Sequence, residues 1–323
     1  MASLQTDSRE TLAVMLTQTQ ESNTIFKNRK HFLLHLMSYI QSILRSLGQI
    51  MFQNNIYSGL LFLIGIFYNS PILGLAALLG TIISISTAQI LKYSKEDIEN
   101  GLYGFNGALT GIALWYFFGF NSTTLFALII GATFAPILFY YLKKVILPFT
   151  APFIIISWIA IYLLLLVFDF PLVPPSTLTE NVFDLLSVST KSFGQVMFQE
   201  NSITGIFFLL AIIINSKLSA IYGLYAAILV SLIGLLLKEP VSNINAGLMG
   251  YNAILCAIAL ADTKRSSFLW ISIATILSVI LNIGFAKLGI IVLTAPFVLS
   301  TWIILKLKSS QKTANNNSSL GTE

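Results

Sequence analysis

Six polar or aromatic residues recur in pairs at matched places in this chain: Gln49 and Gln195, Phe52 and Phe198, Thr150 and Thr294. Each phenylalanine follows its glutamine by three residues, a spacing that puts amide and ring on one face of a helix. A fourth pair, Phe105 and Tyr251, precedes Leu109 and Leu255 by four, so these also share a helical face. Each threonine stands two residues before a proline, Pro152 or Pro296. A proline within a helix frees a backbone carbonyl one turn earlier, and a threonine there can present its hydroxyl beside that carbonyl. This set makes and breaks no bonds; its chemistry is recognition. Rings supply apolar faces, while amide, hydroxyl and carbonyl oxygens supply acceptors. A narrow slot built this way suits a flat, neutral molecule with several N–H donors. Its faces turn away a hydrated ion, and its oxygens replace the water lost from each N–H.

Plainer roles stand beside these. A phenylalanine at helical spacing packs cores, and a threonine before a helix proline back-bonds its own helix. In the strings GLYGFNG and GLMGYNA, Gly101, Gly104, Gly247 and Gly250 allow close helix packing. Asn106 and Asn252 can cap backbone broken at those glycines. The glutamines resist such a reading, because a buried amide without partners costs roughly 2–7 kcal/mol and here one recurs at the matched position.

The apolar segments carry almost no charge. Lys143 and Lys287 match between halves but lie near segment ends; Glu200 replaces Asn54 at a turn; Glu96, Asp97 and Glu99 form one loop. No chain of carboxylates or histidines offers a proton relay or sodium cage. Walker and HExxH patterns are missing and no Ser/His/Asp or Cys/His set sits within the membrane region, which disfavours a pump, an intramembrane protease or another enzyme, and no cofactor or metal is expected. The lone cysteine, Cys256, permits no disulfide framework, and His31 and His35 precede the first membrane element. The net charge of +5 comes from cations at segment ends (Arg29, Lys30, Lys143, Lys144, Lys264, Arg265, Lys306, Lys308). They read as membrane-flanking anchors rather than a nucleic-acid surface.

The elements that must position these residues are membrane helices. The 323-residue chain is 56% hydrophobic and 10% charged, against roughly a quarter charged for a soluble domain. Continuous apolar runs such as WIAIYLLLLVF exclude the alternation of a β-barrel, so the expected fold is an all-α polytopic membrane protein. Apolar segments are read at about 32–53, 56–69, 72–91, 100–118, 122–142 and 146–168, then 182–199, 202–215, 218–237, 245–261, 267–286 and 289–307. This predicts a polar tail without a cleavable signal peptide over 1–30, a first membrane repeat over 31–168 and a Pro/Thr-rich linker over 169–181. A second repeat over 182–307 and a disordered tail over 308–323 follow. The halves are homologous. Gly48–Ser70 and Gly194–Ser216 share 12 identities in 23 positions, and Ile98–Leu114 and Ile244–Leu260 share 9 in 17, both at an offset of 146. TAPFIIISW meets TAPFVLSTW at an offset of 144. The first segment of each half ends in polar FQNN or FQEN, a cost in lipid unless it lines a watery cavity. It reads as a re-entrant half-helix followed by a tight turn. Five full crossings plus one re-entrant piece per half make the repeats inverted. Ten crossings put both tails on one side, and their cations suggest the cytoplasm.

Urea is the smallest common molecule that fits the slot. The paired GQ(I/V)MFQ(N/E)N, GLxG(F/Y)N and TAPF motifs resemble the urea transporter family over about residues 44–305. The resemblance implies passive, channel-like urea conduction in a bacterial inner membrane by a homotrimer with one pore per subunit. It also implies the site residues. Gln49 with Phe52 and Gln195 with Phe198 flank the pore beside Ile50 and Val196. Phe105 with Leu109 and Tyr251 with Leu255 form the opposite wall, and Thr150 and Thr294 lie at the narrow middle. Two departures stand out: Tyr251 adds a hydroxyl that Phe105 lacks, and Ile56 and Ser202 replace a proline found in some relatives. The alternative function is an ion- or proton-coupled carrier for a small neutral amide, for which Glu200 is the only nearby carboxylate.

Overall fold

The computed structural model describes residues 29, 30, 32–174 and 182–320, with the side chains of 265 and 312–320 set aside. Most of the predicted N-terminal tail and of the 169–181 linker therefore lie outside the described residues. Two units are distinguished, Met1–Gln41 and Ser42–Glu323. In the first, residues 32–40 are helical and expose Phe32, Leu33, Leu34, Leu36, Met37 and Ile40. Everything below concerns the second unit.

That unit is helical, with no strand among the described residues. In chain order the helices are α1 (42–49), α2 (Ile56–Asn69), α3 (Pro71–Ile90), α4 (Lys95–Glu99), α5 (Phe105–Phe118), α6 (Ser122–Leu142) and α7 (Ala151–Leu166). The second half repeats the order as α8 (Leu185–Gln195), α9 (Ser202–Asn215), α10 (Lys217–Leu236), α11 (Val241–Asn245), α12 (Tyr251–Ala259), α13 (Arg265–Lys287) and α14 (Ala295–Leu320). Among the described residues, four stretches are long and apolar enough to cross a membrane: Pro71–Ile90, Ser122–Leu142, Lys217–Leu236 and Ser266–Lys287. At 1.5 Å per residue, the 14-residue α2, α5 and α9 reach about 21 Å, and the 11-residue α8 reaches less. α14 runs to Leu320, across residues that the sequence assigned to a disordered tail; no Gly or Pro interrupts it between Pro296 and Gly321.

Local chemistry explains the boundaries. Asn55 and Asn201 cap α2 and α9, each side chain accepting from two backbone N–H groups. Ser70 and Ser216 cap α3 and α10. Asn121 and Thr124 form a capping box at α6. Gly101 and Gly247 sit at φ +76 and +75, where a Cβ would also collide with the backbone at Ser46 or Ser192. Gly104 and Gly250 face the same two serines. The close-packing role expected of the glycine strings is thus what they perform, against α1 and α8.

Contacts between the halves are reciprocal. The Ser58 hydroxyl donates to the Ala211 carbonyl at 2.6 Å, and the Thr204 hydroxyl to the Gly65 carbonyl at 2.9 Å; both partners are shifted by 146. Trp158 Nε1 donates to the Ile291 carbonyl at 2.7 Å, and Trp302 Nε1 to that of Leu147 at 2.8 Å. Phe62 meets its own counterpart, Phe208, edge-on at 5.0 Å. Such exchange of partners is the signature of a self-complementary interface.

Candidate functional site

α1 and α8 end at Gln49 and Gln195, and the chain then turns sharply. Phe52 and Phe198 stand three residues on, at φ 61 and φ 60. They are therefore not on the helical face with their glutamines, as the spacing predicted. Each is the left-handed residue of a helix-ending Schellman turn: the Gln53 N–H bonds the Gly48 carbonyl at 2.9 Å and the Phe52 N–H bonds that of Gln49 at 3.1 Å. Gln199 and Phe198 repeat both bonds, to Gly194 and Gln195, at 3.1 Å. That position normally takes glycine; a bulky side chain there costs about 1–3 kcal/mol and persists only where its surroundings over-determine it.

The glutamines are oriented alike. Gln49 Nε2 donates to the Asn100 carbonyl at 2.9 Å, and Gln195 Nε2 to the Ala246 carbonyl at 3.0 Å. Asn100 and Ala246 are themselves matched positions. Each amide nitrogen is thus committed to a backbone carbonyl. Gln195 is buried and Gln49 half-buried.

Thr150 and Thr294, 144 residues apart, meet hydroxyl to hydroxyl at 2.7 Å, and both are buried. The proline argument does not hold. α7 begins at Ala151, so Pro152 lies in its first turn, where its missing N–H would have had no partner. The Pro148 carbonyl, one turn earlier, accepts from the Ala151 N–H at 2.9 Å. Thr150 is the residue before the helix and does not cap it; it is free to meet Thr294. Nor do Asn106 and Asn252 cap the glycine turns. Asn106 donates to the Phe149 carbonyl at 3.4 Å and accepts from the Phe153 N–H at 3.1 Å. Asn252 does the same with Leu293 at 3.2 Å and Phe297 at 3.1 Å. Both hold the bends that carry the threonines.

Around this point the halves differ. The Phe52 ring packs against Phe149 and Phe297, each at 5.8 Å, and those two meet at 5.4 Å. Phe198 lies against Tyr116 at 5.0 Å, Phe117 at 5.8 Å and Phe153 at 6.5 Å. A cavity of about 580 Å³ opens on the second half, lined by Gln195, Val196, Phe198, Tyr251, Leu293 and Thr294 among others. Of the predicted residues it gathers those five other than Leu293. Leu255, Ile50, Leu109 and Phe105 are buried and, with Gln49, Phe52 and Thr150, do not line this cavity. The Tyr251 hydroxyl donates to the Leu293 carbonyl at 2.7 Å. The sequence reading missed Phe149, Leu293, Tyr116 and Phe117. Phe149 and Leu293 immediately precede the paired TAPF motifs, but they differ between halves, and a search for identities passes over them.

Lys143 pairs with Asp97, whereas the matched Lys287 and Asn243 line the cavity with Glu239. Beside the first pair, Tyr93 stacks on Tyr140 at 4.1 Å. Burial first, then the neighbouring Tyr141 and Tyr140, push the Tyr93 phenol above its ordinary value.

A multi-pass helical membrane protein whose oxygens and rings converge where two matched halves meet has the build of a transport protein. The chain belongs to the urea transporter family, whose model, described as "Urea transporter", matches residues 40–309. It is similar to Urea transporter 1 of Ovis aries, 29% identical over 303 residues that cover 84% of this chain and 77% of that protein. Urea transporter 1 of Capra hircus matches to the same extent. That of Mus musculus is 28% identical over 249 residues, 70% of this chain and 63% of the relative. Membership assigns the chain to urea transport across a membrane and to no catalysis.

Proposed function

We propose that the chain conducts urea passively, through a narrow slot with aromatic faces and an oxygen edge where its halves meet. The observation that carries this reading is the Thr150–Thr294 hydroxyl pair at 2.7 Å. One O–H is spent between the two oxygens, which leaves lone pairs to accept from a urea N–H at the narrowest point. The Gln49 and Gln195 amide oxygens accept on either side. Phe52 and Phe198 are the sliding faces, flanked by Ile50 and Val196. Phe105 with Leu109 and Tyr251 with Leu255 form the facing walls. Hydrocarbon faces cannot replace an ion's hydration shell, so charge is excluded, while each urea N–H exchanges water for a fixed acceptor.

We further infer that residues 31–168 and 182–307 are inverted repeats, each of five crossings and one re-entrant half-helix. The reciprocal bonds of Ser58 with Ala211 and Thr204 with Gly65 support the two-fold relation. Both tails are assigned to the cytoplasm of a bacterial inner membrane, on the strength of the flanking cations. The likeness to the family supports a homotrimer with one pore per subunit; in a nanodisc its protein mass would be three times 35.5 kDa.

Light scattering on proteoliposomes tests the function. Gln49→Leu and Gln195→Leu, which keep the side-chain bulk and remove the acceptor, should each slow urea flux about tenfold, the equivalent of about 1.4 kcal/mol of barrier. Unchanged flux in both would remove the amide oxygens from the path. Uptake driven by an imposed pH or sodium gradient would instead favour a coupled carrier.

A further inference from the structure

Four amide side chains outside the proposed slot form a closed circuit. Gln53 and Gln199, one residue past each left-handed phenylalanine, are buried. Each turns its own Nε2 back onto the carbonyl two residues earlier, Met51 or Met197, at 2.6 Å. Their Oε1 atoms are satisfied from the other half. Asn215, the last residue of α9, donates to Gln53 at 2.9 Å; Asn69, the last residue of α2, donates to Gln199 at 2.8 Å. α2 starts from Asn55, beside the Phe52 turn, and α9 from Asn201, beside the Phe198 turn. The path therefore runs from the Phe52 turn along α2 to the Phe198 turn, and along α9 back to the Phe52 turn. Phe62 against Phe208, with the Ser58 and Thr204 bonds, locks the two helices side by side.

We propose that Asn215 and Asn69 are positioning residues, each holding the phenylalanine turn of the opposite half in its left-handed conformation through Gln53 or Gln199. A left-handed phenylalanine needs such external hold, and the circuit supplies it from across the interface. The two apertures are thereby coupled: disturbing the end of α9 loosens Phe52, 163 residues away in the chain, rather than Phe198. The inference rests on the slot reading above for the role of the two rings, but the hold on the turns stands apart from it.

The test uses full-length protein in nanodiscs for hydrogen exchange and in liposomes for flux. Asn215→Ala should speed amide exchange at residues 50–53 by roughly three- to tenfold, the loss of one hydrogen bond, and leave residues 196–199 unchanged. Asn69→Ala should do the reverse. Asn215→Asp, which keeps the shape but offers Gln53 an acceptor, should act like Asn215→Ala and guards against misfolding of the alanine variant. Each variant should also change the ratio of urea to methylurea flux, a ratio independent of how much protein is active. Faster exchange across the interface with an unchanged ratio upholds the hold and contradicts the slot role of the rings. Exchange that changes only at the turn of the variant's own half, or at neither turn, overturns the proposal.

Discussion

The two halves of this protein share their backbone and hydrogen-bond scaffold and differ in what fills it. The bends before Thr150 and Thr294 have the same left-handed residue, at φ 48 and φ 46, held by the same asparagine. In the first half that residue is Phe149, whose ring closes on Phe52 and Phe297. In the second it is Leu293, and a cavity of about 580 Å³ stands open beside it. Phe105 against Tyr251 and Asp97 against Asn243 continue the contrast. Geometry that must be met by both halves stayed paired, and volume and charge around it diverged.

That contrast can be broken at its base. Gly101→Val and Gly247→Val each place a branched Cβ at positive φ and against backbone at Ser46 or Ser192. Each should cost about 3 kcal/mol or more and abolish the monodisperse peak in size-exclusion chromatography. A shared scaffold predicts equal damage; a variant tolerated in one half only would argue against it. A smaller change exchanges the fillings. Leu293→Phe gives the second half the first half's ring and should fill part of the cavity, slowing urea flux about tenfold or more. Phe149→Leu should relieve the first half and leave flux equal or faster, at about 1 kcal/mol of stability. Stopped-flow light scattering reads both.

Much of this scaffold was legible in the sequence. Asn55, Ser70 and Asn121 punctuate apolar runs, so α2, α3 and α6 fall within a residue of their predicted limits. The matched motifs made the pairing of Gln49 with Gln195 and Thr150 with Thr294 visible. What failed was helical extrapolation past a helix end. Phe52 was placed on the face of Gln49 because nothing in FQNN announces a left-handed residue; the usual signal, glycine, is missing. Pro152 was taken as a helix interruption because an apolar segment read from residue 146 hides that α7 begins at Ala151. Gln53 was in plain view in both repeats, but its partner lies 162 residues away, a distance that local patterns do not encode.

Finer differences sharpen the comparison. Tyr251→Phe removes the bond to the Leu293 carbonyl and makes the second half resemble the first. It should cost about 1 kcal/mol in thermal unfolding and change urea flux two- to fivefold. Asp97→Asn gives the first half the neutral amide that Asn243 gives the second. The Lys143–Asp97 pair is partly exposed, so stability should fall by about 1 kcal/mol and urea flux should hold within twofold at high salt.

The most direct measurement is urea flux through Thr150→Val, Thr294→Val and the double variant in liposomes, with channel number normalised. Valine keeps the volume of threonine and deletes the oxygen. If the hydroxyl pair is the shared acceptor at the narrowest point, each single variant should lower flux about tenfold. The double variant should then add little, because either substitution already breaks the pair. Urea passing all three at the rate of the unaltered protein would mean that the passage runs elsewhere.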